Sequence, residues 1–292
     1  MSGAPRRRSG PGEGGFVLVA VLVVLALMAG VVGTASLAAR GAAGSARLAA
    51  DRLAADALVD GGVALAAYQL YGLGHRAADV DGQSVTFDDG TVVLGVVPET
   101  ARIDLNAASA AMLAGLWRAL ARPGRAEAFA AAVTAWRATP ADPSGAEPAD
   151  DVDGAAGDTR HGPFQSVAAL VSVAGVTSED VAAMAPYLTV FNPSGTIDPR
   201  AAPRAVLASL PGVTAATVDA IVALRAGEGD IVARIRAIAP AAAGHLGLEA
   251  RAYRLRVTAR HRALGPTTVE AVITRGARRG ALYHVLDWRA AR

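Results

Sequence analysis

The chain contains no cysteine and no lysine. Without cysteine there is no disulfide, no thiol nucleophile and no thiolate metal site. Without lysine a P-loop is excluded, because its Lys must reach the β- and γ-phosphates. Every basic side chain is arginine, which in so Ala- and Gly-rich a sequence reads as codon bias rather than an arginine-specific binding role. Charge is scarce, 18% of residues against 52% apolar, a balance that argues against disorder over most of the length. The net charge of +2 gives no global case for nucleic acid. No Gly-x-Ser-x-Gly occurs, and the five histidines show no metal-ligand spacing. Gly10, Gly12 and Gly15 formally match a dinucleotide fingerprint, but they follow no strand and precede an apolar segment. Nothing here points to an enzyme.

Proline is also missing between Phe16 and Tyr71, so one continuous helix is expected there. Its first part, residues 16–39, carries no charge and ends at Arg40. At 1.5 Å per residue, roughly 20 apolar residues cross a hydrocarbon core of about 30 Å. The second part, residues 40–74, is amphipathic, with Leu48, Leu58, Leu65 and Tyr68 available for packing. Arg47–Asp51 and Arg52–Asp56 have the spacing of i,i+4 ion pairs. Gly72-Leu73-Gly74 ends the helix.

The junction Glu13-Gly14-Gly15-Phe16 lies in front of the apolar run, whereas a secretory signal is cut behind its apolar core. Cleavage after Gly15 leaves the whole segment on the mature protein, and Arg6-Arg7-Arg8 is the positive-inside signal of a leader over residues 1–15. Three other readings stand beside this one. A secretory signal cut near Gly33-Thr34-Ala35 has an apolar core longer than usual. A plain signal anchor needs no Gly-Phe junction. A twin-arginine signal is disfavoured by the Gly/Pro-rich residues after Arg8.

Two β-rich blocks flank the middle of the chain. Residues 84–99 are rich in Val and Thr around Asp89-Gly90, a pairing that predicts a hairpin with a type I′ turn. In residues 250–292, Tyr253, Leu255, Val257 and Ala259 alternate with Arg254, Arg256, Thr258 and Arg260. Val269, Ala271 and Ile273 continue the alternation, and residues 281–288 make a third candidate strand. This pattern predicts an antiparallel sheet covered on one face, with the long helix as its cover.

Residues 100–245 read as helices and loops with an internal repeat. Ile103-Asp104-Leu105-Asn106-Ala107-Ala108-Ser109 through Leu116 matches Ile197-Asp198-Pro199-Arg200-Ala201-Ala202-Pro203 through Leu210 at 8 of 14 positions. A shorter echo pairs Ser172-Val173-Ala174-Gly175-Val176-Thr177 with Ser209-Leu210-Pro211-Gly212-Val213-Thr214, each with the form of a helix-hairpin-helix turn. The fold class expected is therefore α+β, a long N-terminal helix on an antiparallel sheet with a large helical insertion.

Together these features resemble the type II secretion minor pseudopilin K family, over nearly the whole chain. Arg102-Ile103-Asp104-Leu105-Asn106, Gly162-Pro163-Phe164, Ala185-Pro186-Tyr187, Gly195-Thr196-Ile197-Asp198-Pro199 and Leu210-Pro211-Gly212-Val213 look like family segments and occur in family order. The resemblance implies a pilin-like domain interrupted by a helical, SAM-like insertion. It implies a single-pass inner-membrane protein with a periplasmic body at the tip of a pseudopilus. The partners implied are the minor pseudopilins I and J, other pseudopilins, the prepilin peptidase, the inner-membrane assembly platform and membrane lipid. Gly15 and Phe16 become the peptidase junction, with N-methylation at the new amine. The fifth mature residue, where most pilins carry Glu, is Ala20. A bilayer carboxylate is costly unless paired, so an apolar Ala20 suits a subunit with nothing above it. Ala20 as ordinary lipid-facing helix is the plainer reading.

Calcium is the one cofactor implied. Members of the family bind it, and Asp142, Glu147, Asp150, Asp151 and Asp153 supply clustered oxygen ligands of the kind Ca²⁺ takes. The acidic residues usual around the preceding Trp-Arg are replaced by Ala135, Ala138 and Thr139, and a solvated acidic loop is the alternative. The hairpins raise a second class, a membrane-anchored DNA-binding or uptake protein. Against it, Thr177 and Thr214 stand where a phosphate-gripping hairpin has its second Gly, and no nucleic acid is expected as a partner.

Overall fold

The computed structural model describes residues 13–122, 124–138, 162–227, 229–277 and 280–291. Helix α1 (Glu13–Ala67) runs 55 residues, about 80 Å at 1.5 Å per residue, and widens into a π turn at Tyr68–Gly72. No proline interrupts it, and its Ala and Leu content favours helix throughout. The expected pairs Arg47–Asp51 and Arg52–Asp56 do not close: Arg47, Arg52 and Asp56 are exposed and Asp51 is half-buried, and a pair on a helix surface gains only a few tenths of a kcal/mol. A short helix α2 (Ala77–Val80) turns the chain into the sheet.

Strands β1 (Ser84–Phe87) and β2 (Gly90–Pro98) form the expected hairpin, but its two-residue turn is Asp88-Asp89. Phe87 pairs with Gly90, and neither Asp nor Gly90 has positive φ, so the type I′ reading of Asp89-Gly90 is corrected. Gly90 is required for a different reason. A Cβ there would run into the Arg260 carbonyl of the neighbouring strand.

The chain then enters the insertion. It comprises β3 (Ile103–Asp104), α3 (Ala110–Ala119), α4 (Ala126–Ala138), α5 (Ser178–Met184), β4 (Leu188–Thr189), α6 (Arg204–Ala208), α7 (Ala215–Leu224) and α8 (Ile231–Ile238). It returns as β5 (Ala252–His261), β6 (Thr267–Arg275) and β7 (Tyr283–Ala290). The five-stranded sheet has the order β1-β2-β5-β6-β7, antiparallel throughout. The insertion therefore leaves and re-enters between two adjacent strands, with Pro98 of β2 paired to Tyr253 of β5.

Two cores result. Under α1, Leu58, Val59, Val63 and Leu70 meet Val92, Leu94, Leu255, Val257, Ala271 and Ile273. These are the inward residues of the period-2 strands and one stripe of the helix. Gly62 allows the close approach: a Cβ there would stand 2.7 Å from the Cγ1 atoms of Val92 and Val257, whereas Gly61 faces open space. The second core is confined to the insertion and includes Ile103, Leu113, Trp117, Phe129, Leu188, Ile197, Leu207, Ile221 and Ile235.

The insertion is built twice. Ile103 bridges in parallel to Leu188, and Ile197 bridges in parallel to Leu246, so each repeat starts at Ile-Asp and closes on a Leu. In each, the Asp carboxylate bonds the following turn: Asp104 Oδ1 accepts from the N–H of Asn106 (2.7 Å) and Ala107 (3.2 Å), and Asp198 Oδ1 from that of Arg200 (2.8 Å). Helix α3 packs on α6 at Gly115 and Ser209, equivalent positions in the two repeats. A Cβ on Gly115 would stand 2.5 Å from the Ser209 carbonyl oxygen.

Candidate functional site

The feature that sets this molecule apart is the part of α1 that touches nothing. Every described side chain from Val17 to Ala50 is exposed, and burial begins at Ala55. Charge begins at Arg40. The bare, uncharged portion is long enough to span a bilayer, and among the described residues it is the one helix with that length and composition. Val17, Ala20, Val21, Val24 and Leu25 share one apolar face, at i, i+3 and i+4 spacing. Ala20 thus lies among aliphatic neighbours with no polar group beside it. Gly15 and Phe16 fall within the backbone of α1.

The upper end of α1 is pinned. The Tyr71 hydroxyl donates to the carbonyls of Ile273 (3.1 Å) and Arg251 (3.2 Å), which are close enough to share it. Burial, with the Tyr253 phenol beside it, pushes the Tyr71 hydroxyl well above the ordinary phenol range, although Arg275 opposes this. The Arg275 guanidinium sits 5.4 Å from the Tyr71 ring centre. Tyr253 meets the same ring edge-on at 5.7 Å.

The insertion is fastened to the sheet by one buried carboxylate. Glu99, 1% exposed, accepts from Arg254 Nε of β5 at 2.9 Å and from the Thr189 hydroxyl of β4. Nearby, Arg102 donates to the Ala185 carbonyl at 3.5 Å; burial, then the Arg254 charge, lower its pKa. Glu99 did not stand out in the sequence, since an isolated Glu beside a loop carries no pattern.

The sequence also gave no sign of the bonds that two arginines make. Arg137, at the end of α4, donates through Nη1 to the Leu105 carbonyl (2.8 Å) and through Nη2 to that of Ala108 (2.6 Å). Arg225, after α7, donates through Nε to the Pro199 carbonyl (2.8 Å) and through Nη2 to that of Ala202. Leu105 and Pro199 occupy the same repeat position, as do Ala108 and Ala202. The repeat alignment would have shown the shared target but not the arginines, which lie beyond the matching stretch.

The hairpin turns take the form their sequences predict. Gly175 and Gly212 have φ of 79° and 73°, the left-handed region glycine favours. Thr177 Oγ1 accepts from the Asp180 N–H (3.1 Å), and Thr214 Oγ1 from that of Thr217 (3.2 Å). At each turn one amide at the start of the following helix is thus already bonded to threonine, and at the first turn the Asp180 carboxylate adds negative charge. By position in the repeats the two turns are not equivalent: one follows α4 and the other precedes α7.

Asp142, Glu147, Asp150, Asp151 and Asp153, the expected calcium ligands, lie outside the described residues. Among the described residues no three acidic or histidine side chains converge into a metal cage. The ends of that stretch meet: the Gly162 N–H donates to the Trp136 carbonyl (3.2 Å), and the Trp136 and Phe164 rings stack at 6.0 Å.

A long helix whose first half is bare and apolar, and whose second half lies across an antiparallel sheet, defines a pilin-like protein. This one carries a helical insertion between β2 and β5. The particular likeness is to a chain of the GspK-GspI-GspJ complex from the type 2 secretion system of enterotoxigenic Escherichia coli. The TM-score is 0.52 at 14% identity, over 82% of this chain and 94% of that one, and the likeness is one of fold. No family model and no curated protein matches the sequence.

Proposed function

We propose that this chain is a minor pseudopilin of a type II protein secretion system that forms or initiates the tip of the pseudopilus. The observation that carries the reading is the division of α1 into a bare apolar stem and a half packed on the sheet. Such a stem is held in the inner membrane, with the body on the periplasmic side, until assembly draws it out into a fibre. The same fold in a chain of the GspK-GspI-GspJ complex supports the minor pseudopilins I and J as its partners. The role is structural. The chemistry is done to the chain, by a prepilin peptidase that cuts between Gly15 and Phe16 and methylates the new amine.

Two features favour the tip. Ala20 lacks the carboxylate that would pair with the amine of a preceding subunit. The insertion between β2 and β5 adds a second core beside the pilin-like body, and its bulk suits an end better than a shaft.

N-terminal sequencing of membrane-extracted protein tests the reading. Phe16 as first residue is expected. Ser36 means signal-peptide loss and Met1 a plain anchor, and either overturns it. The tip role is tested separately by joining β2 to β5 with a short turn in place of the insertion. The shortened chain should still enter the membrane while secretion fails; full secretion would refute the role assigned to the insertion.

A further inference from the structure

The two repeats of the insertion use one oxygen of their Asp alike and the other differently. In the first repeat, Asp104 Oδ2 accepts from the Asn192 N–H at 2.7 Å. Main chain running on from β4 delivers that donor, and the Leu105 N–H, bonded to the Thr189 carbonyl at 2.9 Å, keeps the two segments side by side. In the second repeat Pro199 stands where the first has Leu105, and proline has no N–H to give. Pairing stops once the Gly247 N–H has reached the Ile197 carbonyl (3.1 Å). Asn192 lies four residues past Leu188; Ala250, four past Leu246, donates nothing to Asp198. Asp198 Oδ1 holds the Arg200 N–H, but Oδ2 has no hydrogen bond or ion pair among the described residues.

Asp198 instead lines a cavity of about 480 Å³ between the insertion and the end of β2. Leu70, Val96, Pro98 and Leu248 are its apolar wall, and Leu248 is 38% exposed. Tyr253 also lines it, and the Tyr253 hydroxyl has no hydrogen bond among the described residues. Burial, then the Asp198 charge, push this phenol above its ordinary range against the pull of Arg275, so it stays a donor. Arg200 occupies the repeat position of Asn106, whose side chain is engaged with the Phe164 main chain at 3.0 and 2.7 Å. The Arg200 guanidinium is exposed and makes no such bond. Of the other charged groups lining the cavity, Arg76 is paired with Asp79, and Asp81 holds the Val96 N–H at 2.7 Å. The walls are fixed in place: the Asp198 N–H donates to the Thr100 carbonyl (2.8 Å), and Tyr253 pairs with Pro98 in the sheet.

We propose that this cavity binds an extended peptide segment of a partner protein, with an apolar residue beside an acidic one. A peptide N–H takes on Asp198 the place that the Asn192 N–H has on Asp104, and a peptide carbonyl accepts from the Tyr253 hydroxyl. The apolar side chain lies on Leu70, Val96 and Leu248, and the carboxylate meets Arg200. Three observations select this occupant. The first repeat shows main chain as the group that the Asp turn takes. A bare acceptor and a bare donor lining one cavity match the N–H and C=O of a peptide better than an ion of either sign. The unpaired Arg200 favours an acidic neighbour. Nothing in this site depends on the pseudopilin reading.

The detergent-extracted full chain is titrated into fluorescein-labelled, amidated tetrapeptides Ala-Xaa-Yaa-Ala and Ala-Yaa-Xaa-Ala, where Xaa is Leu, Val or Phe and Yaa is Asp or Glu. Fluorescence anisotropy, corrected for empty micelles, reads binding. At least one peptide should saturate with a Kd below about 0.1 mM. N-methylating its central amides, or replacing its acid by lysine, should weaken binding about ten-fold or more. Asp198→Asn keeps an oxygen for the Arg200 N–H, and Tyr253→Phe removes a hydroxyl that has no partner in the free chain. Each should weaken binding about ten-fold while moving the melting temperature by less than about 3 °C. Absence of binding by every peptide at about 1 mM overturns the site, as does equal binding of the N-methylated peptide or wild-type binding by both variants. None of these outcomes bears on the N-terminal sequencing that tests the pseudopilin reading.

Discussion

Arg137 and Arg225 make the same clasp in the two halves of the insertion, each forking onto two carbonyls three residues apart at the start of its repeat. Burial lowers the pKa of both guanidiniums, and a nearby Asp, Asp104 for the first and Asp198 for the second, works against that shift. The bonds tie the last helix of each helical pair back to the turn that opens the repeat.

Arg137→Ala and Arg225→Ala should each destabilise the protein by about 1–3 kcal/mol, because two carbonyls lose a charged donor. Arg→Lys should recover less than half, since a single ammonium cannot reproduce the fork. Urea titration of the detergent-extracted chain checks both. Unequal losses, with one near zero, would show that the two clasps are not energetic equivalents.

Gly61 and Gly62 are neighbours with opposite expectations. Gly62→Ala forces a Cβ against Val92 and Val257 and should cost about 1–3 kcal/mol. Gly61→Ala meets nothing within 4 Å and should stabilise by about 0.5–1 kcal/mol, through helix propensity alone. Thermal melts of the pair separate packing from propensity.

Glu99→Ala leaves Arg254 buried without its carboxylate and the Thr189 hydroxyl without its acceptor. A cost of about 3–5 kcal/mol follows from stranding one member of a buried pair. Limited proteolysis should then cut first where the insertion joins the sheet, around residues 99–102 and 246–251. An unchanged cleavage pattern would mean the insertion is held by its other contacts.

Asp180 gives a pH signature. Burial pushes its carboxyl up, but the Thr177 N–H and hydroxyl, together with Arg122 at 2.5 Å, outweigh this and bring it below the ordinary carboxylate range. A lowered folded-state pKa contributes stability above the unfolded value, about 3.9, and that stability is lost as pH falls through the folded value. Asp180→Asn should therefore cost about 1–3 kcal/mol at pH 7, with the gap to wild type closing below about pH 4. A gap constant from pH 7 to pH 3 would contradict this.

Much of the fold was legible because its signals are periodic. The proline-free stretch, the alternation of Leu255, Val257 and Ala259 and the Ile-Asp repeat each follow from one spacing rule. The parallel bridges at Leu188 and Leu246 were not legible, since pairings this short have no period. Asp89-Gly90 misled because a glycine needed for close approach to Arg260 carries the same letters as one needed for positive φ.

The pairing of Pro98 with Tyr253 has a consequence for how the chain is made. During synthesis the stem and β2 emerge first, while β5, β6 and β7 arrive last. Until then Leu58, Val59 and Val63 of α1 have no sheet to lie on beyond the first hairpin. The insertion, whose core is its own, can condense early, but closing so distant a strand pair is intrinsically slow. The nascent polypeptide therefore passes through an interval with a greasy flank uncovered, when a chaperone or a protease has its best opportunity.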